Sequence, residues 1–183
     1  MSGIRGGSSK KGHRFIGLKR LKMPLLFCFF VVLLNLASVY AAEKGLLNFF
    51  ELFTAQATTG LIHLFGIAAA RDNTVIRLAN DVWVVNTECT AIMIMIIFAS
   101  FIAVYQSSFK AKSIGLLVGL PVIFIANITR LLIMAFIDKL APSYSHYFHD
   151  YLWQVAFILM VVVMWVVWTE KVVHGERKDP VAS

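Results

Sequence analysis

The sequence predicts an all-α polytopic membrane protein: a bundle of about four spanning helices with an amphipathic helix and a short β-hairpin on its outer face. Three observations carry that expectation. Of the 183 residues, 59% are hydrophobic and only 15% charged, with a mean hydropathy of +0.77, far from the averages of soluble domains. The apolar residues fall in long blocks. The Lys and Arg behind the formal charge of +7 lie at segment ends and in tails, which is the signature of membrane topology. The lipid bilayer is therefore the expected partner, and nucleic acid is excluded. The two cysteines, Cys28 and Cys89, lie far apart without metal-ligand spacing, so neither a zinc site nor a disulfide framework is indicated.

Residues 1–22 hold seven Lys or Arg among Gly and Ser and read as a disordered basic cytoplasmic tail. Residues 23–170 form one membrane-embedded domain, and 171–183 a polar cytoplasmic tail containing Lys171, Arg177 and Lys178. The first span, 23–42, is broken only by Pro24, Asn35 and Ser38, with Pro24 in the first turn where proline is tolerated. Val39, Tyr40 and Ala41 would suit signal cleavage, but the apolar block exceeds the usual 7–15 residues or so and favours a retained span.

Residues 46–70 are long enough to span yet carry Asn48, Glu51, Thr54, Gln56, Thr58, Thr59 and His63. An amphipathic helix at the interface, or one packed against the bundle, suits them better than lipid-facing burial. In residues 74–85, β-branched runs flank Ala79-Asn80-Asp81, which reads as a hairpin turn. Cys89 then stands at the mouth of an unbroken apolar run ending near Tyr105, the second span. The third, 113–137, contains Pro121, Asn127, Thr129 and Arg130, and the fourth is 151–168.

With 46–70 kept outside, the inner side collects twelve of the seventeen Lys and Arg: the N-terminal seven, Lys110, Lys112 and the last three. The positive-inside rule prefers this arrangement, which puts Cys89 on the outer face. Counting from the inner helix ends at about 1.5 Å per residue puts Cys89, Arg130 and His149 at roughly 24 to 29 Å, within about a turn of one another. A thiol, a guanidinium and an imidazole are thus expected at one level.

Each has an ordinary explanation. Cysteine is often a small buried hydrophobe, and Cys28, among Phe and Leu, reads as only that. Cys89 sits instead at a boundary beside Glu88. An arginine near a helix end usually snorkels, but Arg130 has Asn127 three residues earlier on the same face, which argues for an inward polar site. His149 lies among Tyr144, Tyr147, Phe148, Tyr151 and Trp153, a cluster that by default is an interfacial aromatic belt. Together the three make chemical sense: an imidazole takes the thiol proton and returns it to a leaving amine. A permanently charged guanidinium stabilises a thiolate or an oxyanion. Glu88 disfavours a thiolate beside it unless it pairs with Arg130, Arg77 or His149.

At these residues the chain resembles the exosortase/archaeosortase family of membrane transpeptidases. The resemblance rests on Glu88-Cys89-Thr90-Ala91-Ile92 opening a helix, Asn127-Ile128-Thr129-Arg130 within the next, and His149-Asp150-Tyr151-Leu152-Trp153-Gln154 before the last. It covers roughly residues 45–169, and its weight lies in the order and depth of motifs that are individually weak. Many members have Gly two residues after the cysteine, where this chain has Ala91. In length the chain is similar to compact members such as exosortase H.

The resemblance implies that 23–170 is a catalytic domain in the inner membrane, with its site on the periplasmic face. Such enzymes act on membrane-anchored secreted proteins bearing a C-terminal tag of a short motif, one transmembrane helix and a basic end. Cys89 would form a thioester, and an acceptor nucleophile would release the product to a surface component. His149 is the expected acid/base, with His146 its rival, and Arg130 the oxyanion or substrate clamp. Glu88, Asn127 and Trp153 are the expected supporting residues. No metal or organic cofactor is required. The alternatives are a thiol acyltransferase or unrelated cysteine protease, or a non-catalytic helper or transporter. Haem ligation by His63, His146 and His149 is disfavoured because none of the four spans contains a histidine, and a transporter because no inverted repeat is visible. Oligomeric state stays open.

Overall fold

The computed structural model describes residues 11–79, 81–140 and 153–175, with side-chain burial from residue 22 onward. Five helices and a small sheet make up this part of the chain: α1 (Lys11–Glu43), α2 (Asn48–Leu64), β1 (Ala70–Asp72), β2 (Val75–Arg77), β3 (Val82–Val84), α3 (Ile92–Val104), α4 (Phe109–Leu140) and α5 (Trp153–Trp168). A 3-10 turn, Thr87–Thr90, links the sheet to α3, and α5 runs into a π-helical turn, Thr169–Val173. Three helices are long and apolar enough to cross a membrane: Lys22–Glu43 within α1, α4, and Trp153–Val173. The apolar α3 is shorter. The chain is a multi-pass membrane protein, and large apolar side chains such as Leu25, Leu36, Leu117, Ile125 and Ile158 stand exposed on the spanning helices, as lipid contact requires.

α1 begins well before the expected span, so Pro24 lies inside the helix rather than in its first turn. Phe27 stacks on Phe101 with centroids 4.3 Å apart, and farther along Asn35 reaches Met93, so α1 and α3 run antiparallel. Tyr105 then packs edge-on against Trp165 and Trp168, and the Trp168 indole donates to the Ala111 carbonyl at 2.8 Å. This aromatic knot closes the end of the bundle that also carries Lys110 and Lys112. Lys112 donates to the Ala103 carbonyl at 2.8 Å, satisfying an orphan acceptor in the last turn of α3.

The ambiguous 46–70 stretch resolves into α2 packed along α4. Its buried residues, Thr54, Ala55, Thr58, Thr59 and Ile62, recur at helical spacing and form one stripe. Phe53 stacks on Phe124 and Phe65 meets Phe136, so α2 runs parallel to the C-terminal half of α4. Gly45 and Gly66, at φ +70 and +71, terminate α1 and α2. The Leu46 and Ile67 amides each reach back to a carbonyl five residues earlier, closing a Schellman cap that needs the left-handed residue glycine supplies.

The expected hairpin is present as β2 and β3, but a further strand, β1, pairs antiparallel with β2 to give the order β1-β2-β3. Ala70-Arg71-Asp72 has little β propensity of its own; Asn73, at φ +53, supplies the tight turn that folds it back on β2. At the β2–β3 turn the Leu78 amide donates to the Asp81 carbonyl, while the Asp81 carboxylate accepts from the Val82 amide and the Trp83 indole. Asn80, at the centre of the expected turn, lies outside the described residues, as do His146 and His149.

Candidate active site

Cys89 does not sit on α3 itself. It occupies the 3-10 turn ahead of it, and Ala91, at φ +59, breaks the path between turn and helix. At this positive φ Ala pays a steric cost that Gly would not. Four contacts hold the turn. Asn86 caps it, its side chain accepting from the Cys89 amide at 3.3 Å. The Thr90 hydroxyl donates to the Thr87 carbonyl at 2.6 Å. From α2, the Glu51 carboxylate accepts from the Thr87 hydroxyl at 2.7 Å. From α4, the fully buried Asn127 donates to the Cys89 carbonyl at 2.6 Å.

The Cys89 thiol points back toward the sheet, with Sγ 3.9 Å from the Val84 carbonyl oxygen. It lines a cavity of about 280 Å³ together with Trp83, Val84, Glu88, Arg130 and Met134. Arg130 enters one turn beyond Asn127 on α4, its guanidinium 5.9 Å from the centroid of the Phe157 ring. Its Nε is buried and has no hydrogen-bond partner among the described residues. A second cleft of about 460 Å³ is lined by Glu88, Met93, Ile94, Arg130, Trp153 and Phe157. Glu88 and Arg130 line both clefts and form the divide between them.

The structure thus brings Cys89, Arg130, Glu88 and Asn127 together. Trp153 stands on the far side of the divide, its indole donating toward the Met134 sulfur at 3.3 Å. Among the described residues the Glu88 carboxylate pairs with neither Arg130 nor Arg77, the latter exposed on β2, and the expected pairing with His149 lies outside them. His63 is engaged with the Ala69 carbonyl at 2.6 Å, and no cluster of metal-ligating side chains occurs among the described residues. Two contributors escaped the sequence reading. Asn86 was detectable as an N-cap residue ahead of Thr87. Glu51 was not, because its partner is 36 residues away.

Fold and site together define a multi-pass membrane protein whose bundle gathers a thiol and a guanidinium at one end. The family model for transmembrane exosortases matches residues 15–168, and the chain belongs to that family, whose members are in general cysteine-type transpeptidases that act in protein sorting. No curated protein and no solved structure matches the chain.

Proposed function

We propose that this chain is a membrane cysteine transpeptidase that cleaves a C-terminal sorting signal from secreted proteins and passes them to a surface acceptor. The observation that carries the reading is the shared cavity of Cys89 and Arg130, with the Cys89 carbonyl anchored by Asn127. In this reading α3 and its 3-10 turn make a fourth span, and the cavity opens on the periplasmic face of the inner membrane. The clustering of Lys110 and Lys112 at the opposite end of the bundle supports that orientation.

The Cys89 thiol passes its proton to His149, and the thiolate attacks the carbonyl carbon of the scissile peptide bond. The Arg130 guanidinium, which lines the same cavity as the thiol, faces the oxygen that takes up negative charge. Collapse of the adduct breaks the C–N bond, and His149 returns the proton to the leaving amine on the tag. The product is a thioester between Cys89 and the new C-terminus. An acceptor amine or hydroxyl then attacks that thioester, giving its proton to His149, and the Cys89 thiolate leaves and is reprotonated. Asn127 and Asn86 position the nucleophile, and Glu88 and Trp153 line the substrate path.

The test is processing of a co-expressed membrane protein carrying a C-terminal motif, a transmembrane helix and a basic end. Native chain is compared with Cys89→Ser, Arg130→Ala and His149→Ala at equal membrane abundance. The expected outcome is shortening of the substrate by the native chain, a trapped thioester that depends on Cys89, and sharply slowed turnover in the other two. Processing that survives loss of Cys89 would move the helper or transporter reading to the front.

A further inference from the structure

We infer that the substrate segment entering the cavity does so as an extended strand paired with the outer edge of β3, extending the sheet to a fourth strand. The inference rests on the sorting reading and adds how that substrate is held.

β3 is an edge strand of the sheet, paired on one side with β2 in the register Val75↔Val84, Ile76↔Trp83 and Arg77↔Val82. The Val85 amide donates to the Thr74 carbonyl, and the Leu78 amide to the Asp81 carbonyl. Backbone groups along an antiparallel strand alternate in direction, so residues 81, 83 and 85 address β2 and Val82 and Val84 address the other side. Two contacts agree independently. The Val82 amide turns to the Asp81 carboxylate, and the Val84 carbonyl faces the Cys89 thiol. No hydrogen bond among the described residues uses the Val84 amide, which leaves a donor at the edge beside a carbonyl held only by the long, weak contact from the Cys89 thiol. Both valines are largely exposed, at 56% and 60%, and Val84 lines the thiol cavity.

A peptide bond under attack must lie against Cys89 Sγ, and the backbone leading to it passes Val84. An extended peptide pairs with such an edge through its own main chain, which gives affinity independent of side-chain identity. Alternate side chains of the peptide then face the apolar wall formed by Trp83, Leu131 and Met134. Specificity for a short motif comes from those alternate positions.

The probe is a library of membrane proteins whose C-terminal motif is randomised ahead of a transmembrane helix and basic end. From it is taken a member that the native chain processes and Cys89→Ser does not. Val84→Pro removes the edge amide without touching the β2 ladder, whereas Val84→Ala keeps it. The expected result is a loss of kcat/KM of roughly tenfold for proline, one hydrogen bond's worth, and near-native turnover for alanine. Thermal unfolding of the proline variant in detergent, compared with that of Val84→Ala, reports whether it is folded. A second measurement does not depend on that variant: in a Cys28→Ser, Cys89→Ser background, Val82→Cys is cross-linked to cysteines placed one by one along the substrate motif. Cross-strand neighbours share a face at every second residue, so yield should alternate with that period. Turnover by a folded Val84→Pro equal to that of the native chain, or cross-linking without alternation, would overturn the pairing while leaving the sorting reading intact. A library yielding no Cys89-dependent product would overturn both.

Discussion

Asn127 Nδ2 donates to the carbonyl oxygen of Cys89 at 2.6 Å, joining the middle of α4 to the turn that presents the thiol. Asn127 is fully buried, so its side chain has no water as an alternative partner for this bond. Asn127→Ala strands the Cys89 carbonyl, and the expected cost is about 1–3 kcal/mol, divided between stability and the placement of the nucleophile. Asn127→Asp, which when ionised offers no donor, is expected to be worse. Thermal unfolding in detergent and substrate turnover, measured on both variants, check this; unchanged values for alanine would show the bond to be dispensable.

Arg130 combines a ring contact, a buried Nε and a place in both clefts. Lysine reproduces its charge but not its planar fork, and a substitution at such a site is not conservative. Arg130→Lys is expected to lower turnover by roughly 10²-fold or more, in the range of losing an oxyanion donor. Alkylation of Cys89 by iodoacetamide, which needs no oxyanion donor, separates an effect on the thiol from one on the substrate.

The bond between Glu51 and Thr87 ties α2 to the nucleophile turn. Glu51→Gln keeps an acceptor and should retain most of the activity, whereas Glu51→Ala should lose about 1.5–3 kcal/mol of coupling to Thr87. A double-mutant cycle with Thr87→Val reads that coupling directly. Additive losses would mean the two side chains act independently.

Ala91 adopts φ +59 ahead of α3. Relief of the left-handed conformation by Ala91→Gly is worth about 1–2 kcal/mol, partly offset by loss of a buried methyl worth about 0.8 kcal/mol, so a small rise in melting temperature is expected. Ala91→Val places a β-branched residue where such residues are genuine outliers and should fail to accumulate in membranes.

Gly119 lies where α4 crosses α3, and a methyl group built there collides with the Phe98 ring. Gly119→Ala is expected to destabilise by about 1–3 kcal/mol through overpacking. Adding Phe98→Leu should recover part of that loss. No recovery in the double variant would place the strain elsewhere.

Some of this was readable in the residues. Helical rise is constant, so counting from Tyr105 and from residue 113 predicts Cys89 and Arg130 at similar levels, and the two line one cavity. His149, the third member, lies outside the described residues. The hairpin of β2 and β3 follows from valines flanking a turn. β1 was not readable, because Ala-Arg-Asp becomes a strand only by pairing with β2. Nor was the 3-10 turn: the apolar run after Cys89 reads as continuous helix, and only the positive φ of Ala91 breaks it.

The sequence by itself therefore determined the membrane class and the long apolar helices, because hydropathy acts along one dimension of the chain. Tertiary structure alone decided the rest: that Asn127 takes the Cys89 carbonyl, that Glu51 holds Thr87, and that Arg130 divides two clefts. These depend on how each helix is rotated about its axis and which neighbour it packs against. Close packing of side chains such as Phe98 on Gly119 and Phe53 on Phe124 sets those rotations, and no spacing along the chain records them.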